Sequence, residues 1–353
     1  MTRVYLDHAA TTPICDRARR AMADGLDRWA NPSSAHAEGR AARAALEDAR
    51  TRIAAALRLD DGQLILTSGA TEAITMAMRG ARNRYFLAVE HETLRRAAPA
   101  GRAIPVDRDG LVDLAALDEM LQHAGGHPLV AAQAVNSETG VIQPIEDIAA
   151  MVRAVGGLLF VDCAQSAGKL PLPHADMIAL SAHKLGGPPG IGALWLRDPA
   201  LIQAVGGQEH GYRPGTENLP AVLGFAAAVE EDRTWFEALG PIRQGLDAAI
   251  AAAGGEIVAP GSPRIPTIGS YRMPGVPSAA QLIAFDLAGI SVSAGSACSS
   301  GSVKPSHVLA AMGWDSVAAR EVIRVSFGAS TTAAEVARFA AEWIRIVDRR
   351  RAA

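Results

Sequence analysis

The amino-acid sequence predicts a two-domain α/β protein whose larger domain is built on a mostly parallel sheet. Short apolar runs alternate with helical stretches over the first part of the chain, which is typical of strand–helix units that form such a sheet. The chain has 353 residues, of which 49% are hydrophobic, and this is enough for two cores. After Pro260 the order of strands and helices changes, which indicates a second domain.

The individual strands and helices are predicted from these apolar runs and helical stretches. In the first domain we expect buried strands at 64–67, 85–89, 129–135, 158–161, 177–180 and 193–196. Residues 144–155 are predicted as a helix, because Pro144 suits a first helical turn. The alanine-rich stretch 219–253 is predicted as one long helix, with the domain boundary inside it near residue 236. The second domain is expected to hold strands at 267–273, 290–293 and 322–327, with helices at 278–287 and 332–349.

Charge and cysteine content exclude several classes of protein. With 34 basic and 37 acidic side chains the net charge is -3, so no basic surface for nucleic acid is expected. No apolar run approaches the roughly 18 residues of a membrane span, and the first residues lack the apolar stretch of a signal peptide. Cys15, Cys163 and Cys298 are too few for a disulfide framework and lack zinc-ligand spacing. These features predict a cytoplasmic protein without a bound metal.

Lysine is scarce, and this narrows the search for amine chemistry. Only three of the basic residues are lysines: Lys169, Lys184 and Lys304. Lys184 ends the sequence Ser181-Ala182-His183-Lys184, which follows an apolar strand and precedes a loop of glycine and proline. Pyridoxal phosphate (PLP) enzymes need one lysine amine for a Schiff base, with polar groups nearby for the phosphate. A surface turn with a solvated lysine is the alternative interpretation.

Other polar residues follow the predicted strands. Asp162 stands at a strand end, where open α/β sheets bind ligands, and could pair with a pyridine nitrogen or cap a helix. The small residues at 68–72 could admit a phosphate at a helix N-terminus or simply start a helix. His91 could stack on a ring or be structural. Asn136 and Ser137 could bind a cofactor or begin a turn.

Two residues in the second domain suggest the substrate chemistry. Cys298 lies in a loop of small residues, 295–302, with little apolar material to bury it, and this favours a reactive thiol over a packing residue. Cys15 and Cys163 are better explained as packing residues. Arg324 lies between apolar residues, where it could grip a carboxylate with its planar guanidinium or form a structural ion pair.

Taken in order, these segments resemble the cysteine desulfurases of the class V aminotransferase family, in the NifS/IscS-like group. The matching segments are 5–13, 31–34, 67–72, 90–91, 136–140, 161–166, 181–184, 215–218 and 295–302, together with Arg324. The resemblance implies the PLP-dependent transferase fold type I and a homodimer. It also implies a large PLP-binding domain at 14–235 and a small domain formed by 1–13 and 236–353.

The family further implies a role for each matching residue. Lys184 would carry PLP and move the α-proton of the substrate, Asp162 would pair with the pyridine nitrogen, and His91 would stack on the ring. Gln165 would bond the ring oxygen, and Ser137 stands where the family has a second asparagine that bonds this oxygen. Asn136 is also implied as a cofactor-binding residue. The implied phosphate contacts are those of Ala70, Thr71, Ser181, His183 and the other subunit's Thr216.

On the substrate side, Arg324 would bind the carboxylate of L-cysteine, and Asn136 would contribute to the same site. Cys298 would attack the sulfur, keep it as a persulfide and release alanine. The sulfur acceptor would be an iron–sulfur scaffold, a tRNA-thiolation protein or a thiocarboxylate carrier.

Three alternatives remain open at this stage. An aminotransferase of the same fold would not need Cys298, whereas a selenocysteine lyase would fit the same residues. A weakly active regulatory or binding protein of the PLP fold is the alternative from another class, favoured by departures such as Ser137.

Overall fold

The computed structural model describes residues 3–59, 61–81, 83–295 and 306–352. After the short strand β1 (Val4–Tyr5), a seven-stranded sheet forms the centre of the larger part. Its strands are β2 (Gln63–Thr67), β3 (Arg84–Leu87), β4 (Arg102–Ile104), β5 (Leu129–Gln133), β6 (Leu158–Asp162), β7 (Met177–Ser181) and β8 (Gly192–Leu196).

The spatial order of the strands is β2-β8-β7-β6-β5-β3-β4, and β8 alone runs antiparallel to its neighbours. The predicted α/β class with a mostly parallel sheet is therefore confirmed. Every residue of β5, β7 and β8 is buried, as expected for strands covered on both faces. The helices of this part are α1 (Asp16–Leu26), α2 (Ala37–Ala56), α3 (Ala70–Met78), α4 (Glu92–Ala97), α5 (Leu114–Gln122), α6 (Ile145–Ala154) and α7 (Leu219–Val229).

A second core lies at the other end of the chain. It is formed by α8 (Trp235–Ala252), β9 (Glu256–Ile257), β10 (Ile268–Arg272), α9 (Ser278–Leu287), β11 (Ile290–Ser291), β12 (Val322–Ser326) and α12 (Ala333–Ala352). The short helices α10 (His307–Ala311) and α11 (Ser316–Ala319) instead pack on the core of the larger part, through Val308, Leu309 and Ala319. Strands β12, β10 and β9 make an antiparallel sheet, and the stacked rings of Phe285 and Phe339 pack with Trp343 in its core.

The first residues of the chain join this second core. Strand β1 pairs in parallel with β11, and Val4 and Leu6 are buried beside Phe285 in one apolar cluster. This arrangement supports the division into 14–235 and 1–13 with 236–353, which stays a prediction.

The long helix predicted over 219–253 is wrong, because the chain breaks between α7 and α8. The polar run from Glu230 to Thr234 supplies the reason. Asp232 accepts hydrogen bonds from the backbone N–H (3.0 Å) and hydroxyl (2.7 Å) of Thr234, which favours a turn. Arg233 donates to the carbonyl of Ala228 at 2.6 Å and satisfies the end of α7. The predicted boundary near residue 236 thus falls at the start of α8.

The sheet brings three polar residues to one edge. Strands β5, β6 and β7 are parallel and end at Gln133, Asp162 and Ser181, with Gln133 opposite Asp162 in the register. The carboxyl edge of such a sheet is where α/β proteins bind ligands. Within the described residues, no helix combines the length and the apolar character needed to cross a bilayer.

Candidate active site

A cavity of about 410 Å³ opens at this edge of the sheet, within the size range of small-molecule sites. Ten of the thirteen predicted site residues line it: Ala70, Thr71, His91, Ser137, Asp162, Gln165, Ser181, His183, Lys184 and Arg324. They come from segments more than 250 residues apart, so the fold brings together what the sequence separates.

Lys184 is placed by the turn that follows β7. Residues Ala182–Lys184 form a single 3-10 turn, closed by bonds from the N–H groups of Leu185 and Gly187 to the carbonyl of Ala182, both 2.9 Å. Gly186, with a φ of 86°, then turns the chain away. The lysine is half-buried and lines the cavity, which argues against a solvated surface turn.

Asp162 and His91 occupy neighbouring positions on the cavity wall. Asp162 is buried, and one carboxylate oxygen accepts a hydrogen bond from the N–H of Ala164 at 2.9 Å. His91 caps α4, its Nδ1 accepting from the N–H of Thr93 at 3.2 Å. Burial lowers the pKa of His91 and the positive charge of Lys184 adds to this, against the opposing charge of Asp162. The ring is therefore expected to be neutral at pH 7, with its hydrogen on Nε2.

The start of α3 offers backbone donors to the cavity. The helix begins at Ala70, directly after Gly69, whose φ of 148° favours glycine. Gly69, Ala70 and Thr71 line the cavity, and the unpaired N–H groups of a helix start are a suitable site for phosphate. His183, on the facing turn, lies 3.1 Å from the hydroxyl of Thr11. Burial, reinforced by Lys184, lowers the pKa of His183 to about 4, so this ring is neutral.

Arg324 also lines the cavity. It is buried, and its Nη1 donates to the carbonyl of Ser137 at 3.0 Å. Its Nη2 pairs with Asp7 at 2.8 Å. Its Nε has no hydrogen-bond partner within the described part of the chain. The two interpretations of Arg324 therefore combine: the guanidinium is in an ion pair and faces the cavity as well.

The other predicted residues lie elsewhere or are otherwise engaged. Asn136 does not line the cavity among the described residues, because its carboxamide holds the turn at Thr139 and donates to the carbonyl of Val89. Gln165 does line it, but its Nε2 donates to the carbonyl of Ala9 at 2.9 Å. Thr216 is exposed and outside the cavity. Cys298 lies outside the described residues.

The two described cysteines are poor nucleophiles. Cys163 is fully buried, and this raises the pKa of its thiol to about 12. Cys15 is half-buried, and burial raises the pKa of its thiol as well. Reactive cysteines depend on the thiolate, so both side chains fit the packing role expected for them.

Sequence reasoning gave no role to several polar residues around the cavity. His307, on the first turn of α10, lines it, and Glu90 is fully buried beneath it. Glu90 had a sequence signal, because it is an acid placed directly after an apolar strand and before His91. Burial raises its pKa well above the usual range, and the nearby charge of Asp162 adds to this. One Glu90 oxygen accepts from the N–H of Gln133 at 2.6 Å, and the other has no described partner.

Comparison with known proteins gives a consistent picture. The family model for class V aminotransferases matches residues 4–339. A cysteine desulfurase of Cereibacter sphaeroides is 36% identical over an alignment that covers 100% of this chain and 97% of that protein. The cysteine desulfurase IscS 1 of Archaeoglobus fulgidus is 34% identical, with coverage of 95% and 94%.

Solved structures agree with these relatives. The structure of a NifS-like protein from Rickettsia africae superposes with a TM-score of 0.88 at 30% identity, covering 98% of this chain and 99% of that one. Fold, cavity and relatives lead to one assignment: the chain belongs to the class V aminotransferase family, in its NifS/IscS-like group of cysteine desulfurases.

Proposed function

We propose that this chain binds PLP on Lys184 and uses it to move sulfur from L-cysteine to Cys298, releasing L-alanine. The balance is simple: the thiol of Cys298 and L-cysteine become a persulfide and L-alanine. The observation that carries the proposal is the meeting of Lys184, Asp162 and Arg324 on one cavity. An amine, a carboxylate and a guanidinium are the groups needed for an aldehyde cofactor with a basic ring nitrogen and for an amino-acid substrate.

The residues present fit the cofactor. Asp162 is buried at the strand end, where it can hold a proton on the ring nitrogen. The N–H groups at the start of α3, with Ser181 and the neutral His183, offer hydrogen bonds to a phosphate. Gln165 keeps a buried Oε1 without a described partner, which leaves this side chain capacity for a further hydrogen bond at the cavity wall.

The mechanism follows from what each side chain can do. PLP, when bound, supplies an electron-withdrawing ring that makes the α-hydrogen of the substrate acidic. Asp162 keeps that ring protonated, and the amine of Lys184 takes and returns the α-proton. Arg324 binds the substrate carboxylate, and Asp7 holds the guanidinium in place while it does so. His91, being neutral, adds no positive charge beside Lys184.

The protein's few lysines make a direct test possible. PLP-loaded protein is reduced with borohydride and digested, and the modified peptide is identified by mass spectrometry. Lys169 is the matched control, because burial and the charges of Lys184 and Arg233 lower its pKa to about 7, so its amine also competes for an aldehyde. We expect the adduct on Lys184 in the parent and in Lys169→Met, and no adduct in Lys184→Met.

The same preparations test the reaction. With L-cysteine and a reductant, the parent and Lys169→Met should release sulfide and alanine in equal amounts, whereas Lys184→Met should release neither. An adduct on Lys169, or sulfide formation without Lys184, would contradict the proposal. Parallel assays with L-selenocysteine and with a 2-oxo acid acceptor distinguish a selenocysteine lyase and an aminotransferase.

We infer that the active form is a homodimer. Thr216 is exposed and outside the lining of its own cavity, in keeping with a contact across a subunit interface. The apolar side chains of Leu26 and Trp29 are 70% and 79% exposed. Ser33 bonds Gln208 at 3.2 Å, so the segment after α1 lies beside the loop that carries Thr216. Burial of these apolar residues against a second copy would favour association. Sulfur then passes to an acceptor protein, such as an iron–sulfur scaffold or a tRNA-thiolation carrier.

A further inference from the structure

His307 is a cavity residue with a fixed hydrogen-bonding state. Its Nε2 lies 2.8 Å from the carbonyl oxygen of Glu90. A carbonyl oxygen can only accept, so Nε2 carries the hydrogen in this contact. In a neutral imidazole the other nitrogen, Nδ1, is then left as an acceptor. The ring is half-buried and lines the cavity together with Lys184 and Arg324.

The backbone on both sides of this hydrogen bond is held in place. The backbone of Glu90 is fixed, since its N–H bonds the carbonyl of Leu87 at 2.9 Å and its side chain bonds Gln133. On the other side, Ser306 caps α10 and donates to the carboxylate of Glu138 at 2.5 Å. Among the described residues, no partner of Nδ1 is found. His307 is therefore a preorganised acceptor on the cavity wall.

The other walls of the cavity indicate where a substrate thiol lies, a step that rests on the proposed function. With the carboxylate of L-cysteine at Arg324 and its amino group at Lys184, the β-carbon group faces a third side. Gly295 and His307 both line the cavity and flank the segment that contains Cys298. Transfer of sulfur to Cys298 requires the substrate thiol to point toward that side.

We propose that Nδ1 of His307 accepts the hydrogen of the substrate thiol, which makes His307 a residue that selects L-cysteine over amino acids without a thiol. The position of the ring supports this placement, because His307 bonds the carbonyl of Glu90, the residue directly before His91, and both histidines line the cavity.

Two substitutions separate this role from a structural one. In His307→Gln the amide nitrogen reaches the place of Nε2 and can still donate to the carbonyl of Glu90, but the acceptor at Nδ1 is lost. In His307→Asn the amide stands near the place of Nδ1 and can accept, while the bond to Glu90 is lost. Both are made in a Cys298→Ala background, which blocks sulfur transfer and lets binding be measured alone.

The measurement is the apparent dissociation constant of L-cysteine and of L-alanine, from the change in the absorbance of bound PLP. We expect His307→Gln to weaken L-cysteine binding by roughly five- to tenfold and to leave L-alanine unchanged, the effect of losing one hydrogen bond. His307→Asn should stay close to the background protein for both amino acids.

Each other result decides against the proposal. If His307→Gln binds L-cysteine as the background protein does, the thiol contact does not exist. If only His307→Asn weakens the binding of both amino acids, His307 is a structural residue that acts through its bond to Glu90. L-alanine binding serves as the check of folding, and its loss in both variants also indicates a structural role. Sulfide release by the parent tests the proposed function independently, so failure of the two can be distinguished.

Discussion

Arg324 and Asp7, 317 residues apart in the sequence, form an ion pair of 2.8 Å between Nη2 and Oδ1 at the cavity wall. The carbonyl of Ser137 accepts a hydrogen bond from the neighbouring Nη1. The guanidinium is thus oriented before any substrate enters, and the side carrying Nε is not engaged by described residues. Asp7 is a positioning residue in our proposal, because it acts on the substrate only through Arg324.

Asp7→Asn should raise the KM for L-cysteine by about tenfold or more and change kcat little. The substitution removes a charge-assisted hydrogen bond that fixes the guanidinium of Arg324. Asp286→Asn is the matched control, since Asp286 pairs with Arg3 at an exposed site far from the cavity lining. Steady-state kinetics of both variants check the prediction. A fall in kcat at constant KM would assign Asp7 to the chemical step instead.

The three cysteines should differ sharply in their reactivity and in their importance for sulfide release. Cys298→Ala should keep bound PLP and lose at least about 100-fold in sulfide release, because it removes the proposed nucleophile. Cys15→Ser and Cys163→Ala should retain the activity of their folded fraction, since burial raises both thiol pKa values. Iodoacetamide labelling at pH 7.5, followed by peptide mass spectrometry, should find Cys298 modified first. Preferential labelling of Cys15 would argue against the assignment.

Asp162→Asn should bind PLP yet lower kcat by about 100-fold or more, because an amide cannot hold the proton on the ring nitrogen. Asp176→Asn is a suitable comparison. Asp176 precedes β7 at the opposite end of the same strand pair, where it accepts from Leu159 and pairs with Arg197. That variant should lose stability and keep its kcat. Equal kcat values for the two variants would remove Asp162 from the mechanism.

Glu90→Gln should make the protein's stability less dependent on pH. Burial, reinforced by Asp162, raises the pKa of Glu90, so the folded state holds a proton that the unfolded chain releases above about pH 4.3. The parent therefore loses about 1.4 kcal/mol of unfolding free energy per pH unit from this group between the unfolded and folded pKa values. The neutral amide has no such loss.

Urea unfolding of both proteins at pH 5, 6 and 7 measures this difference. We expect the stability of Glu90→Gln relative to the parent to be greater at pH 7 than at pH 5. The absorbance of PLP bound to the variant should match that of PLP bound to the parent, because a neutral group is retained beside Asp162. A difference that stays constant with pH would show that Glu90 is ionised in the fold.

Association is testable with the exposed tryptophan. The chain mass is 36.7 kDa, and sedimentation of the parent should give about twice this value. Trp29→Asp should shift the equilibrium toward the monomer, because a charge replaces an apolar side chain that is 79% exposed in one copy. Val155→Asp, at another exposed apolar position, is the control. A monomeric parent would contradict the proposed role of Thr216.

The strand ends were predictable because the apolar runs identify them. Asp162 ends one buried parallel strand and Lys184 follows the next, and the fold places such positions on one edge of the sheet. The contacts of Asp7 and His307 were not predictable in this way, since each depends on a partner more than 200 residues away. The break between α7 and α8 was missed because alanine-rich flanks hid a short polar turn. Asn136 lies outside the cavity lining because its carboxamide bonds the local turn and the carbonyl of Val89, and its cofactor contact stays a prediction.

The wide separation of Asp7 and Arg324 has a consequence for synthesis on the ribosome. The described residues that we propose to bind PLP lie between Ala70 and Lys184. Arg324, which we propose to bind the substrate carboxylate, lies on β12, about 140 residues later. At ~5–20 residues per second, that interval lasts roughly 7–30 s. On our proposal, a nascent chain could thus meet PLP well before it can hold an amino acid, and we expect cofactor loading to precede competition from the substrate.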